Sequence, residues 1–110
     1  MKELTKAEEV LLLSILRLKE DAYGVAIKNE IQVTTGQVFA YGTLYFILEQ
    51  LTNKGLVKKK KGNPTPERGG RSKTFYVLTV RGFNSLKKSH EMQKKAWIGF
   101  ADVKWEKKGK

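Results

Sequence analysis

Residues 41–57, YGTLYFILEQLTNKGLV, limit what this chain can become more than any other stretch. Leu44, Ile47, Leu48 and Leu51 recur at i, i+3, i+4 and i+7, which makes one apolar stripe along a helix. The opposite side carries Thr43, Phe46, Glu49, Gln50 and Asn53. Gly55 follows Asn53 and Lys54, where a helix end favours a residue that tolerates positive φ. A cationic strand then starts at once, with Leu56 and Val57 followed by Lys58, Lys59, Lys60 and Lys61. The stripe alone would suit any core helix. The order of its neighbours gives it meaning.

Upstream, Thr5 and Glu8 match a capping box, so a first helix is expected from there to about Lys19. Leu4, Ala7, Leu11, Ile15 and Leu18 share one face, and Val10, Leu12, Leu13 and Leu16 widen it, so the helix should be largely buried. A turn over 19–22 leads to Tyr23 and Gly24, which open a second helix from Val25 to about Val33 with Ile27 and Ile31 inward. Thr34, Thr35 and Gly36 are poor helix formers and should end it. Residues 37–40 link it to the central helix. Downstream, residues 62–71 hold both prolines and no apolar side chain, the composition of an exposed loop. Residues 73–78, KTFYVL, read as a strand. Helix, link, helix and basic hairpin together spell a winged helix-turn-helix, an α+β fold that is mainly α, over residues 1–80.

Residues 81–110 form a second unit. Thr79 is placed to cap a fourth helix running to about Trp105, with Phe83, Leu86, His90, Gln93, Trp97 and Phe100 at steps of three and four. Ala96, Gly99 and Val103 give a second stripe of small residues, and a basic tail follows. A domain already closed by three helices offers this helix no obvious seat, and 110 residues are few for a self-sufficient core. A partner helix is therefore expected: a two-fold homodimer joined by a C-terminal dimerisation helix. Its two recognition helices would lie about 34 Å apart to meet successive major grooves.

Lys and Arg number 22 against 11 Asp and Glu, a formal charge of +11, which points to a polyanionic partner. Thr43 and Tyr45, in the first turn of the central helix, are candidates for phosphates or base edges. Gln50 and Asn53 are candidate base readers further along. Lys60, Lys61, Arg68, Arg71 and Lys73 suit the phosphate backbone, and Gly69 and Gly70 allow backbone amides a close approach. Catalysis and metals are not expected. There is no cysteine, one histidine (His90, read as an interface residue) and no nucleotide-binding glycine loop. No cofactor, secretory signal or membrane span is expected, and the lack of cysteine suits the cytoplasm. Two classes of function fit: a DNA-binding regulator, or a winged-helix module that binds RNA or a protein partner without operator specificity.

Gly42-Thr43-Leu44-Tyr45 with Leu48, Leu51 and Lys54-Gly55-Leu56-Val57 resembles the core signature of the PadR family of transcriptional regulators. Glu67-Arg68-Gly69-Gly70-Arg71 with Tyr76, Leu78-Thr79 and Gly82 resembles that family's wing, and Tyr23-Gly24 fits as well. The likeness spans residues 11–82, and the short C-terminal part is similar to the subfamily with one final helix. The resemblance implies a homodimeric repressor that binds double-stranded DNA at a palindromic operator and is released by a small molecule. It also implies that Thr43, Tyr45, Arg68, Gly69, Gly70 and Arg71 lie at the DNA. Phe46 stands where many members have proline, Gln50 where arginine is frequent, and Ala40 where a capping serine is common. Phe83, Leu86, His90, Trp97 and Phe100 are the expected dimer and effector residues. Two facing Trp97 indoles would form a slot for a planar aromatic or cationic compound, and Gly99 would let the helix bend as it enters.

Overall fold

The computed structural model describes residues 3–62 and 73–105. The elements run in the order α1 (Lys6–Leu18), a 3-10 turn (Lys19–Asp21), α2 (Gly24–Thr35), α3 (Tyr41–Asn53), β1 (Val57–Lys61), β2 (Thr74–Leu78), α4 (Val80–Ala96) and a last 3-10 turn (Phe100–Asp102). The expected wing loop, with Arg68, Gly69, Gly70 and Arg71, lies outside the described residues.

The capping box forms as the sequence requires. The Glu8 amide donates to Thr5 Oγ1 at 3.1 Å, and the Thr5 amide donates to Glu8 Oε1 at 2.9 Å. Burial is narrower on α1 than its apolar pattern suggests. Leu11, Leu12 and Ile15 are in the core, but Leu13 and Leu16 are exposed. Their stripe is wider than the contact that α2, α3 and β2 make with this helix. Helix α2 continues through Thr34 and Thr35, two residues beyond the expected end, and stops at Gly36 in the left-handed region (φ 77°). The threonines survive in the helix because their hydroxyls donate back to the Glu30 and Ile31 carbonyls at 2.8 and 2.7 Å.

Behind α3, Leu44, Leu48 and Leu51 are fully buried and Ile47 nearly so, with Ile27, Ile31, Leu11 and Ile15 as neighbours in one core. Phe39, in the link, joins that core, a role its position outside any helix hid. Gly55 turns the chain at φ 77°, and β1 pairs antiparallel with β2, Val57 opposite Leu78 and Lys61 opposite Thr74. A third, single-residue rung comes from Tyr23 opposite Phe75, and the Tyr76 amide donates to the Ala22 carbonyl at 2.8 Å. The wing is thereby tied to the start of α2.

Two expectations for α4 need correction. The first concerns its seat. The helix docks on its own domain: Gly82, Ser85 and Leu86 are buried, and Glu9 of α1 accepts bonds from Ser89 and Gln93 at 2.9–3.2 Å. At its start Thr79 Oγ1 accepts from the Gly82 amide and donates to the Gly55 carbonyl. The second concerns length. The helix stops at Ala96, nine residues before Trp105, and Gly99 just beyond it takes the left-handed conformation (φ 81°) that turns the chain out of the helix. Trp97, Phe100 and Val103 therefore do not continue a helical stripe. Ala96, Gly99 and Val103 form no common helical face.

Candidate nucleic-acid interface

Opposite the buried leucines, α3 shows Gly42, Thr43, Phe46, Glu49, Gln50 and Asn53 to solvent. The helix is 13 residues long, and at about 1.5 Å per residue it spans roughly 20 Å, enough to follow a major groove for half a turn. Ala40 caps it with backbone only, since no side chain bonds to its first amides. Those amides remain oriented donors at the positive end of the helix.

Four of the sequence-derived candidates fall on this front or beside it. Thr43, Gln50 and Asn53 are exposed on the outward face, while Tyr45 lies on its flank. The Tyr45 ring stacks on Tyr41 with centroids 6.2 Å apart, and Lys28 of α2 stands 5.3 Å from the Tyr41 ring. The Tyr45 hydroxyl lies directly over Gly24, where a side-chain carbon would overlap it. A side chain at position 24 would push the Tyr45 ring aside, so Gly24 lets the tyrosine lie against the start of α2. Sequence reasoning paired Tyr23 and Gly24 as a helix opening and missed this contact.

On the wing, Lys60 and Lys61 are exposed on β1. Lys59 is committed elsewhere, donating to Glu49 of α3 at 2.9 Å, and that carboxylate holds the ammonium above the ordinary lysine value. Lys73 is half-buried, its ammonium 3.7 Å from the centre of the Tyr23 ring, and Tyr23 meets Phe75 edge-on at 5.6 Å. Arg68, Gly69, Gly70 and Arg71 lie outside the described residues. Across the strands, burial pushes the Tyr76 phenol up and keeps it neutral.

The Glu49–Lys59 pair links the wing's first strand to α3 across an exposed surface. It was invisible in sequence because the partners come from different elements. Phe46 was visible: it sits opposite the leucine stripe and is 63% exposed. Among the C-terminal candidates, Leu86 lies in the chain's own core, whereas Phe83, His90, Trp97 and Phe100 are exposed. Trp97 meets Phe100 edge-on, ring centroids 4.7 Å apart. Among the described residues no group of acids, histidines or cysteines could hold a metal ion, and no helix is long and apolar enough to cross a membrane.

This geometry has close parallels. RosR of H. salinarum, solved as its RosR-SG complex, shares 31% identity over 92% of this chain and 82% of its own, with a TM-score of 0.68. A PadR-like transcriptional regulator from Bacillus cereus superposes with a TM-score of 0.71 at 16% identity, over 87% of this chain and 88% of that one. A winged-helix DNA-binding protein from STIV gives 0.68 at 18% identity, over 88% and 97%. These last two are likenesses of fold. No curated protein matches the chain. The profile of the PadR-like transcriptional regulators matches residues 12–88, from the second turn of α1 into α4 and across the whole winged helix. With its helix-turn-helix, basic wing and docked final helix, the chain belongs to the PadR-like family of DNA-binding transcriptional regulators.

Proposed function

We propose that the protein is a repressor that binds a palindromic operator as a homodimer and is released by a small-molecule effector. The observation that carries this reading is α3 itself. Its apolar side is wholly used by the core, and its outward side, apart from the Glu49–Lys59 pair, is left to solvent. Residues 1–80 serve as the DNA-binding unit and residues 81–110 as the dimerisation unit. Thr43, Gln50 and Asn53 face the bases. Tyr45, Lys60, Lys61, Lys73 and the wing residues Arg68, Gly69, Gly70 and Arg71 serve the phosphates, in keeping with the charge of +11. The exposed Phe83, Trp97 and Phe100, with Leu13 and Leu16 on α1, are apolar surface that a second copy would cover. A planar aromatic effector would enter beside Trp97 and alter the spacing of the two recognition helices. The protein works in the cytoplasm, where its operator lies, and needs no cofactor.

Footprinting on the chain's own upstream DNA tests the reading. A protected site with two-fold symmetry, its half-sites one helical turn apart, is expected. Binding that protects no site and weakens equally on every duplex as salt rises would overturn operator recognition and leave only the backbone attraction.

A further inference from the structure

On the reading just proposed, α3 faces base edges, and one residue on it has no structural reason to be where it is. Counting 100° per residue, Phe46 lies nearly opposite Leu44 and Leu48, at the centre of the exposed face. Its ring has no aromatic or cationic neighbour among the described residues, unlike Tyr41 and Tyr45 on the same helix. Gly42, one turn earlier, leaves open space, since a side-chain carbon there would meet nothing within 4 Å. Thr43, Gln50 and Asn53 surround the ring with polar groups, and Glu49 is drawn aside by Lys59. The ring therefore fronts the approach to this face, ahead of the carboxylate.

A single apolar side chain amid hydrogen-bonding groups suits a surface with the same pattern. A protein partner would match a wider apolar patch. The major-groove edge of DNA presents one apolar group only, the C5 methyl of thymine, set among donors and acceptors. We infer that Phe46 is a specificity-determining residue that packs on a thymine methyl in each half-site, and that Gly42 provides the clearance for the base edge to approach.

The test replaces each thymine of the bound duplex with deoxyuridine, which removes only that methyl. The duplex is one selected from a random pool by the intact chain, with affinity read by fluorescence anisotropy. One or two positions per half-site should lose about four-fold in affinity, the worth of one buried methyl. With F46A the same replacements should have no effect, while backbone-driven binding and its salt dependence stay as in the wild type. Phe46 is exposed, so F46A should fold normally, which circular dichroism would verify. Uniform tolerance of deoxyuridine by the wild-type chain overturns the inference and leaves operator binding intact. Equal losses for wild type and F46A overturn it too. Failure to select any sequence from the pool overturns the operator reading beneath it.

Discussion

In α3 the apolar side is covered along its length by the chain's own core, and what remains exposed is polar apart from Phe46 and the two flanking tyrosines. In α4 the buried contact with the domain ends at Leu86; beyond it, among the described residues, only Ser89 and Gln93 are bonded to the domain, and Phe83, Met92, Trp97 and Ile98 stay exposed. Both helices look amphipathic in sequence. The difference is that α3 is enclosed by α1, α2 and β1, whereas α4 meets α1, β2 and the turn after α3 along one narrow strip. One helix is finished by its own fold, and the other leaves apolar surface exposed.

That contrast can be broken at several points. Leu48→Ala should have the largest effect, lowering stability by about 2–5 kcal/mol because a fully buried side chain leaves a cavity between α3 and its neighbours. Urea denaturation would measure it, and a loss below 1 kcal/mol would mean that α3 is not held from behind as described. Gly82→Ala comes next, at about 1–3 kcal/mol. A methyl there would overlap the Leu56 carbonyl oxygen and crowd Leu78, so α4 must lift from the end of α3. Hydrogen exchange should show the amides around Thr79 opening first.

Glu8→Gln should weaken the junction of α1 with α3 and change its response to acid. Burial alone would push the Glu8 carboxyl up, but its bonds to the Lys54 ammonium and the Thr5 amide outweigh that and hold it below 4.5. With a folded value below the unfolded one, the contribution is complete above about pH 4.5 and disappears as pH falls through the lower, folded value. Wild-type stability should therefore drop on acidification below that point. In Glu8→Gln this component of the drop should vanish, as urea midpoints at pH 6 and pH 3.5 would show. The smallest effect on the fold is expected from Trp97→Ser. The indole contacts Phe100 outside the core, so unfolding measured at high dilution should change by no more than about 0.5 kcal/mol. Sedimentation of the same variant should show weaker self-association than the wild type.

Much of this architecture was legible in the chain because it is local. The capping box at Thr5, the leucine stripe of α3, the positive-φ glycine at 55 and the threonine cap at 79 each depend on residues within one or two turns, and all are found in the structure. The basic strand and its aromatic partner were equally plain. What sequence could not supply was neighbourhood. Pattern showed that Leu13 and Leu16 are apolar, but only the width of the contact decides that they stay outside the core. Pattern also ran α4 to Trp105. The helix ends at Ala96, where Gly99 turns the chain and its docking surface has already run out.

Periodicity, caps and short motifs, which the chain carries along its length, were enough to specify the order of elements, the family and the helix proposed to meet DNA. Only the tertiary structure decided which side chains are spent on holding that helix. Glu49 is paired to Lys59 and Lys54 to Glu8, so two groups that look available on paper are engaged. The physical reason is that hydrogen bonds, ion pairs and close packing act over a few ångströms, and the partners here lie up to 46 residues apart. Distance along the chain says nothing of that contact until the core brings the helices together.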